Sequence, residues 1–139
     1  MIRELTIQDT QQIMEYEQFD NHCLTLDQIT KMLSNKNYCN LGEFINNELI
    51  SYLFTTVSEK EIDIVKIFTT QPYRQKGFAV KLLGFLESKY HNRIFYLEVN
   101  ELNKPAINLY HKLGFQHIGV RKKYYNNNND AIIMERKTQ

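Results

Sequence analysis

Apolar and polar residues alternate with a period of two in several stretches of this chain, which is typical of strands with one buried face. Between the second and third of these stretches stand Asn46 and Asn47, and asparagine tolerates the left-handed conformation of a tight hairpin turn. One stretch is nearly all apolar, as expected of a strand covered on both faces. The predicted strands are 2–6, 40–45, 48–56, 61–69, 94–99 (the apolar one), 117–125 and 131–136.

Four segments with helical spacing of apolar residues lie between these strands. Asp9 and Gln12 resemble a capping box before the first helix, and Thr25 or Asp27 can cap the second. Gly77 opens the third, whose apolar positions are Val80, Leu82, Leu83, Phe85 and Leu86. The fourth begins at Asn103, has Pro105 in its first turn and ends at Gly114, which fits a left-handed C-cap.

The predicted element order is therefore β-α-α-β-β-β-α-β-α-β-β in one domain, residues 1–139. Antiparallel hairpins lie near both ends of the chain. The strand–helix–strand unit over 61–99 should be a right-handed crossover between parallel strands. The fold class is thus α/β (α+β), with a mixed sheet.

Composition and charge remove several function classes. The formal net charge is +1, so a protein held to nucleic acid mainly by its charge is not expected. No apolar run is long enough to span a bilayer, and the first residues do not resemble a signal peptide. Two cysteines, Cys23 and Cys39, cannot make a disulfide framework or a CxxC metal site. We expect both to be buried, reduced thiols in a cytoplasmic protein, and we expect no metal.

The segment from Gln71 to Ala79 lies between a strand and a helix and has the composition of an anion cradle. A helix N-terminus presents unpaired N–H groups, and Gly77 lets the backbone approach an anion closely. Arg74 and Lys76 add positive charge, and Ala79 is small. These residues alone are equally compatible with an ordinary glycine-containing helix entry flanked by solvated basic residues.

The pattern Arg74-x-x-Gly77-x-Ala79 resembles the pyrophosphate-binding motif of the GCN5-related N-acetyltransferases, and the element order is similar to theirs. Further matches resemble the RimI-type enzymes, which acetylate the N-terminal alanine of a small-subunit ribosomal protein. They include Leu97-Glu98-Val99, Tyr124-Tyr125 and the segment Asp130-Ala131-Ile132-Ile133-Met134. The resemblance implies a mostly antiparallel, twisted sheet of about six or seven strands with four helices.

The resemblance also implies acetyl-CoA as co-substrate and assigns the residues that hold it. The backbone of one strand would pair with the pantetheine and polarise the thioester carbonyl. The loop and first helical turn would bind the diphosphate, and Asn103 would touch the cofactor, although it can equally be a plain helix N-cap. The residues so assigned are Ile67, Phe68, Thr69, Arg74, Gln75, Lys76, Gly77, Phe78, Ala79, Val80 and Asn103.

Glu98 stands between Leu97 and Val99 in the apolar strand, and a buried carboxylate is costly unless it is used or paired. Burial raises the pKa of a carboxyl group, which suits a general base near neutral pH, the role that the resemblance implies. A structural ion pair with a neighbouring cation is the alternative.

Tyr110 lies two helical turns after Asn103, beside Leu109 and Leu113. Such a tyrosine is usually a core residue, but the resemblance implies that it protonates the departing thiolate.

The expected acceptor is the N-terminal peptide of a ribosomal protein, with no nucleic-acid or membrane partner. Two departures from the RimI-type pattern concern the acceptor side: residues 20–25 lack the usual Pro-Trp pair, and Lys66 is unusual in its strand. Alternatives are acetylation of a small amine, a polyamine or a lysine, and an acyl-CoA-binding sensor without catalysis.

Overall fold

The computed structural model describes residues 1–20, 22–123 and 128–137. Seven strands and four α-helices occur in this part of the chain, in the order predicted from the sequence. The strands are β1 (Ile2–Glu4), β2 (Tyr38–Ile45), β3 (Glu48–Val57), β4 (Glu61–Thr69), β5 (Ile94–Asn100), β6 (Gln116–Arg121) and β7 (Ala131–Lys137). The helices are α1 (Thr10–Glu17), α2 (Leu26–Ser34), α3 (Phe78–Lys89) and α4 (Lys104–Lys112).

The strands form one sheet in the order β1-β2-β3-β4-β5-β7-β6. Every neighbouring pair is antiparallel except β4 and β5, which are parallel as the sequence predicts for strands joined by a helix. Asn46 and Asn47 join β2 to β3 with φ of 51° and 67°, which confirms the predicted left-handed turn.

The two parallel strands separate soon after they start. β4 and β5 pair only over Glu61–Asp63 and Ile94–Tyr96. The register of β4 against β3 then shifts between Ile64 and Lys66, so that Val65 is the extra residue of a β-bulge. Beyond the bulge, the edge of β4 that faces β5 has no strand partner in the described part of the chain, and a gap opens in the middle of the sheet.

Two apolar cores cover the two faces of the sheet. On one face, Leu82, Leu83 and Leu86 of α3 pack on the sheet together with α4. On the other face, Ile13 of α1 and Ile29 of α2 pack against β3. Neighbouring residues of β3 belong to different cores, as the alternation of a strand requires.

Several local predictions were wrong. Asp9 stands at the N-cap position of α1, but its side chain makes no cap hydrogen bond there; it closes a capping box with Thr6 on a short 3₁₀ helix (Ile7–Asp9) that leads into α1. Val80 and Phe85 of α3 are exposed, because the helix faces the core through Leu82, Leu83 and Leu86. Cys39 is buried as expected, whereas Cys23 is exposed.

The structure also decides three further points: which residue caps α2, how β5 is buried and where β6 ends. Of the two residues that could cap α2, Thr25 does so, in a capping box with Gln28. β5 is buried mainly through Phe95, Leu97 and Val99, so it is not covered on both faces. β6 ends at Arg121, and residues 124–127, on which the predicted end of the hairpin and its Tyr-Tyr pair fall, lie outside the described residues.

Candidate active site

The gap between β4 and β5 continues on one face of the sheet as an open groove of about 610 Å³. Phe95, Leu97 and Val99 of β5 belong to the core beneath α3. Alternation therefore turns Tyr96 and Glu98 to the opposite face, where the groove lies. Its lining consists of residues from β4, β5, β6 and β7: Glu61, Asp63, Ile64, Tyr96, Leu97, Glu98, Arg121 and Ile133.

Glu98 is not buried, contrary to the prediction. Its side chain is 30% exposed in the groove, because the face of β5 that carries it is not covered by a helix. An Nη2 atom of Arg121 lies 2.7 Å from Glu98 Oε1. The ion pair that the sequence left open as an alternative is therefore present, while the carboxylate remains accessible to solvent and to a substrate in the groove.

The carboxylates of Glu61, Asp63 and Glu98 line the groove and form what we call its acidic wall. Desolvation raises the pKa of the Tyr96 phenol, and the negative charges of Glu135, Glu61 and Asp63 raise it further. Tyr96 therefore stays protonated at neutral pH and offers an O–H donor beside carboxylates. A cationic group is attracted to such a surface and an anionic one is repelled.

The loop before α3 has the backbone geometry of an anion cradle. Gly77 is the N-cap of α3, with φ of +87°, and Gln75 also has a positive φ, of 62°. A Cβ atom built on Gly77 would have no neighbour within 4 Å, so the space above the loop is open. The predicted opening of α3 at Gly77 is confirmed, and its first N–H groups lie next to this space.

The side chains of the loop contact the end of β4 and one another. The Arg74 Nε donates a hydrogen bond of 2.8 Å to the Thr69 carbonyl, which fixes the guanidinium beside the end of β4. Lys76 Nζ lies 5.8 Å from the centre of the Tyr73 ring, and Phe78 packs edge-on against the same ring. Ala79 packs against the core beneath α3.

Ile67, Phe68 and Thr69 form the half-buried last part of β4. They pair with Leu53, Tyr52 and Ser51 of β3 on one side. Their other edge borders the gap, where an extended ligand can add backbone-type hydrogen bonds as a strand would.

Asn103 and Tyr110 lie on α4, which packs on the sheet face opposite Glu98. Asn103 Oδ1 accepts a hydrogen bond of 3.3 Å from the N–H of Ala106, so Asn103 is the N-cap of α4. Tyr110 is half-buried and packs edge-on against Phe115, with ring centres 5.9 Å apart. Tyr110 and Glu98 thus lie on opposite faces of the sheet, with the gap between β4 and β5 in between.

A buried charge cluster beside the gap was not predicted. Glu17, at the end of α1, is 1% exposed, accepts a hydrogen bond from the Tyr52 hydroxyl and lies 3.2 Å from Lys66 Nζ. Lys66 Nζ also lies 2.6 Å from Asp20 Oδ2. Sequence reasoning singled out only Lys66. The signal for Glu17 was its position four residues after Ile13, on the apolar side of α1.

Residues 1–20, 22–123 and 128–137 lack two further kinds of feature. No group of three or more His, Cys, Asp or Glu residues is placed to hold a metal ion there. None of the helices in these ranges is long and apolar enough to cross a membrane.

Comparisons with known proteins agree with this geometry. The model of the acetyltransferase (GNAT) family matches residues 3–115. The [ribosomal protein bS18]-alanine N-acetyltransferase of Escherichia coli K12 is 31% identical over 103 residues, which are 70% of each chain. An N-alpha-acetyltransferase of Saccharolobus solfataricus is 40% identical over 77 residues, 52% of this chain and 46% of the relative. The matched region therefore spans about half the length of that archaeal relative.

Solved structures show the same fold. The ribosomal-protein-S18-alanine N-acetyltransferase of Escherichia coli superposes with a TM-score of 0.84 at 25% identity, covering 100% of this chain and 94% of that one. Ard1 of Thermoplasma volcanium gives a TM-score of 0.87 at 20% identity, covering 100% and 97%. With its gap between two parallel strands, its cradle before α3 and a family match over residues 3–115, the chain belongs to the GNAT acetyltransferase family.

Proposed function

We propose that this protein is an acetyl-CoA-dependent N-acetyltransferase that modifies the N-terminal α-amine of a protein. The single observation that carries the proposal is the gap between β4 and β5, with the Gly77 cradle at one end and Glu98 in the groove on one face. The specific acceptor in this proposal is the N-terminal alanine of a small-subunit ribosomal protein, and the reaction takes place in the cytoplasm.

The binding of acetyl-CoA is assigned to two parts of the site. The diphosphate is held at the cradle by the N–H groups from Gln75 to Val80, with the charges of Arg74 and Lys76 nearby. The open space above Gly77 supports this assignment, since a side chain there would occupy it. The pantetheine lies along the free edge of Ile67, Phe68 and Thr69, and Asn103 contributes from α4.

Glu98 takes the proton from the attacking amine, directly or through water, because it is an accessible carboxylate in the groove. A backbone N–H of β4 at the gap stabilises the oxyanion of the tetrahedral intermediate. As the C–S bond breaks, Tyr110 gives its hydroxyl proton to the leaving thiolate. Arg121 holds the Glu98 carboxylate in place at the groove.

Charge and acidity both favour an N-terminal amine as acceptor. The acidic wall attracts an ammonium group, which must lose a proton before it can attack the thioester. An N-terminal amine has a pKa of about 7.7–8.0 and a lysine amine one of about 10.4, so far more of the former is already neutral at pH 7. Supporting similarity comes from two relatives, an N-alpha-acetyltransferase and a [ribosomal protein bS18]-alanine N-acetyltransferase.

A small amine, a polyamine or a lysine is the second candidate acceptor, because the same acidic wall suits a short cation. Residues 20–25 differ from the RimI-type pattern on the acceptor side, which is compatible with this second candidate. A third candidate is a sensor that binds acetyl-CoA without turnover.

The test is a thiol-release assay on a panel of acceptors. The panel contains an alanine-first peptide from a small-subunit ribosomal protein, the same peptide with its N-terminus blocked, a blocked peptide with one lysine, and a polyamine. We expect release of coenzyme A with the free alanine-first peptide only, and mass spectrometry should place one acetyl group on its α-amine. Turnover of the polyamine alone would replace the proposal by the second candidate, and binding of acetyl-CoA without any turnover would replace it by the third.

A further inference from the structure

The buried cluster of Glu17, Asp20, Tyr52 and Lys66 ties the connection between α1 and α2 to the middle of the sheet. Glu17 Oε2 accepts the hydrogen bond from the Tyr52 hydroxyl, and Oε1 accepts one of 2.7 Å from the N–H of Leu24. Burial and the contact with Glu17 raise the pKa of Tyr52, so its hydroxyl remains a donor. One carboxylate therefore binds both β3 and the far end of the connection.

Lys66 completes the attachment from β4. Its Nζ lies 3.2 Å from Glu17 and 2.6 Å from Asp20, and its side chain is only 12% exposed. Burial alone works to raise the pKa of Asp20, but the hydrogen bonds from Lys66 and from the His22 N–H outweigh it and lower that pKa. Asp20 is therefore a carboxylate at neutral pH.

The position of Lys66 links this cluster to the candidate active site. Lys66 is the first residue after the bulge at Val65, where β4 has already separated from β5. Its side chain contacts α1, on the same face of the sheet as Asp63 and Glu98. The described residues of the connection that it holds, 18–20 and 22–25, therefore run beside the open half of β4, and Phe19 among them is 84% exposed.

Stability alone is a weak reason for such a cluster. A buried ion pair recovers little more than the cost of removing its charges from water, and an apolar pair of similar volume often serves as well. Such a pair does, however, hold its two partners in one arrangement. Here the partners are a β4 residue at the gap and a loop that borders it.

We propose that Lys66 is a positioning residue for the acceptor: by fixing residues 18–20 and 22–25 through Glu17 and Asp20, it shapes the wall against which the acceptor binds. The inference rests on the proposed function and adds a determinant of acceptor affinity to it. Lys66 takes no part in proton transfer, so its removal should alter acceptor binding and leave the chemical step and acetyl-CoA binding nearly unchanged.

The test compares Lys66→Met and Lys66→Arg with the wild type, with Lys31→Met as a matched control. Lys31 is 76% exposed in an ion pair with Asp27 on α2. We expect Lys66→Met to raise the acceptor KM about tenfold or more, with kcat and the acetyl-CoA KM within about twofold of wild type. Lys66→Arg should restore most of the affinity, and Lys31→Met should have no effect.

An acceptor KM that is unchanged in Lys66→Met overturns the inference, as does a fall in kcat without a change in KM or an equal rise in both KM values. If Lys66→Met does not fold because Glu17 is left unpaired, Lys66→Met with Glu17→Gln removes both charges. That double variant should fold and show the same raised acceptor KM; a wild-type KM in it would also contradict the inference.

Hydrogen exchange separates this inference from the proposed function. The Leu24 N–H is bonded to Glu17, so its exchange should be about tenfold faster in Lys66→Met if Lys66 holds the connection. Equal exchange in the two proteins overturns the inference whatever the activity. A wild-type protein that acetylates no N-terminal amine overturns the proposed function instead. Positioning of that acceptor by Lys66 is then excluded as well.

Discussion

The guanidinium of Arg121 reaches across β7 to the carboxylate of Glu98, with Nη2 and Oε1 2.7 Å apart. Arg121 pairs with Ala131 of β7, and Glu98 pairs with Ile133 of the same strand from the other side. The ion pair therefore joins β6 and β5 over the groove floor. It holds the carboxylate at the surface of the groove, where a substrate amine can reach it.

Replacing Glu98 by glutamine should remove the general base while preserving the size of the side chain. We expect kcat to fall about 10²- to 10⁴-fold, with little change in the acetyl-CoA dissociation constant measured by calorimetry. Glu15→Gln, on the exposed side of α1, is the control and should behave as wild type. A Glu98→Gln enzyme with wild-type kcat would assign the pair with Arg121 a purely structural role.

Tyr110→Phe removes one hydroxyl and keeps the ring that packs on Phe115. Because the thiolate then leaves without its proton donor, we expect kcat to fall about 10²- to 10⁴-fold. The control is Tyr38→Phe, at the start of β2. Turnover in Tyr110→Phe equal to that of wild type would show that another group, or water, protonates the thiolate.

Two glycine substitutions in and near α3 separate backbone strain from simple loss of glycine. Gly77→Ala forces a Cβ into a residue with φ of +87°, which costs about 1–2 kcal/mol, and places a methyl group in the open space of the cradle. We expect lower stability and a raised acetyl-CoA KM. Gly84→Ala, in the interior of α3 with no neighbour within 4 Å, should stabilise the protein by about 0.5–1 kcal/mol.

Thermal unfolding and steady-state kinetics of both variants check this prediction, because the two substitutions should change the stability in opposite directions. A Gly77→Ala protein with a wild-type acetyl-CoA KM would argue against phosphate binding at this loop.

Asp9 should make stability depend on acidic pH. Its partial burial works to raise its pKa, but two hydrogen bonds from Arg3 and one from the Thr6 N–H outweigh burial and lower it. Because the folded-state pKa is below the unfolded one, Asp9 stabilises the fold at neutral pH, and this contribution is lost as the pH falls below about 4. Asp9→Asn should therefore cost about 1–2 kcal/mol at pH 7 and much less near pH 3.

Chemical unfolding at both pH values measures this difference. Asp27→Asn is the control, because Asp27 and Lys31 form an exposed surface pair, a kind that contributes little. A cost for Asp9→Asn that is the same at pH 7 and at pH 3 would contradict the assignment.

Local rules predicted most of the elements and part of the site. The Asn46-Asn47 turn, the start of α3 at Gly77 and the Asn103 cap all depend on the preferences of a few adjacent residues, which the sequence states directly. A helix cap is harder to predict where the side chain has more than one possible partner. Asp9 was predicted to cap α1, yet its carboxylate is bound by Arg3 and Thr6.

The sequence by itself determined the order of strands and helices, the parallel crossover and the start of α3 at Gly77, because periodicity and turn chemistry act over a few residues. Only the tertiary structure decided the gap after Asp63 and the exposure of Glu98. The same holds for the pairing of Glu17 with Lys66. Each of these depends on which strands and helices meet across long separations in the chain, and contact with a distant residue, rather than the local pattern, sets whether a charge is buried, paired or open to a substrate.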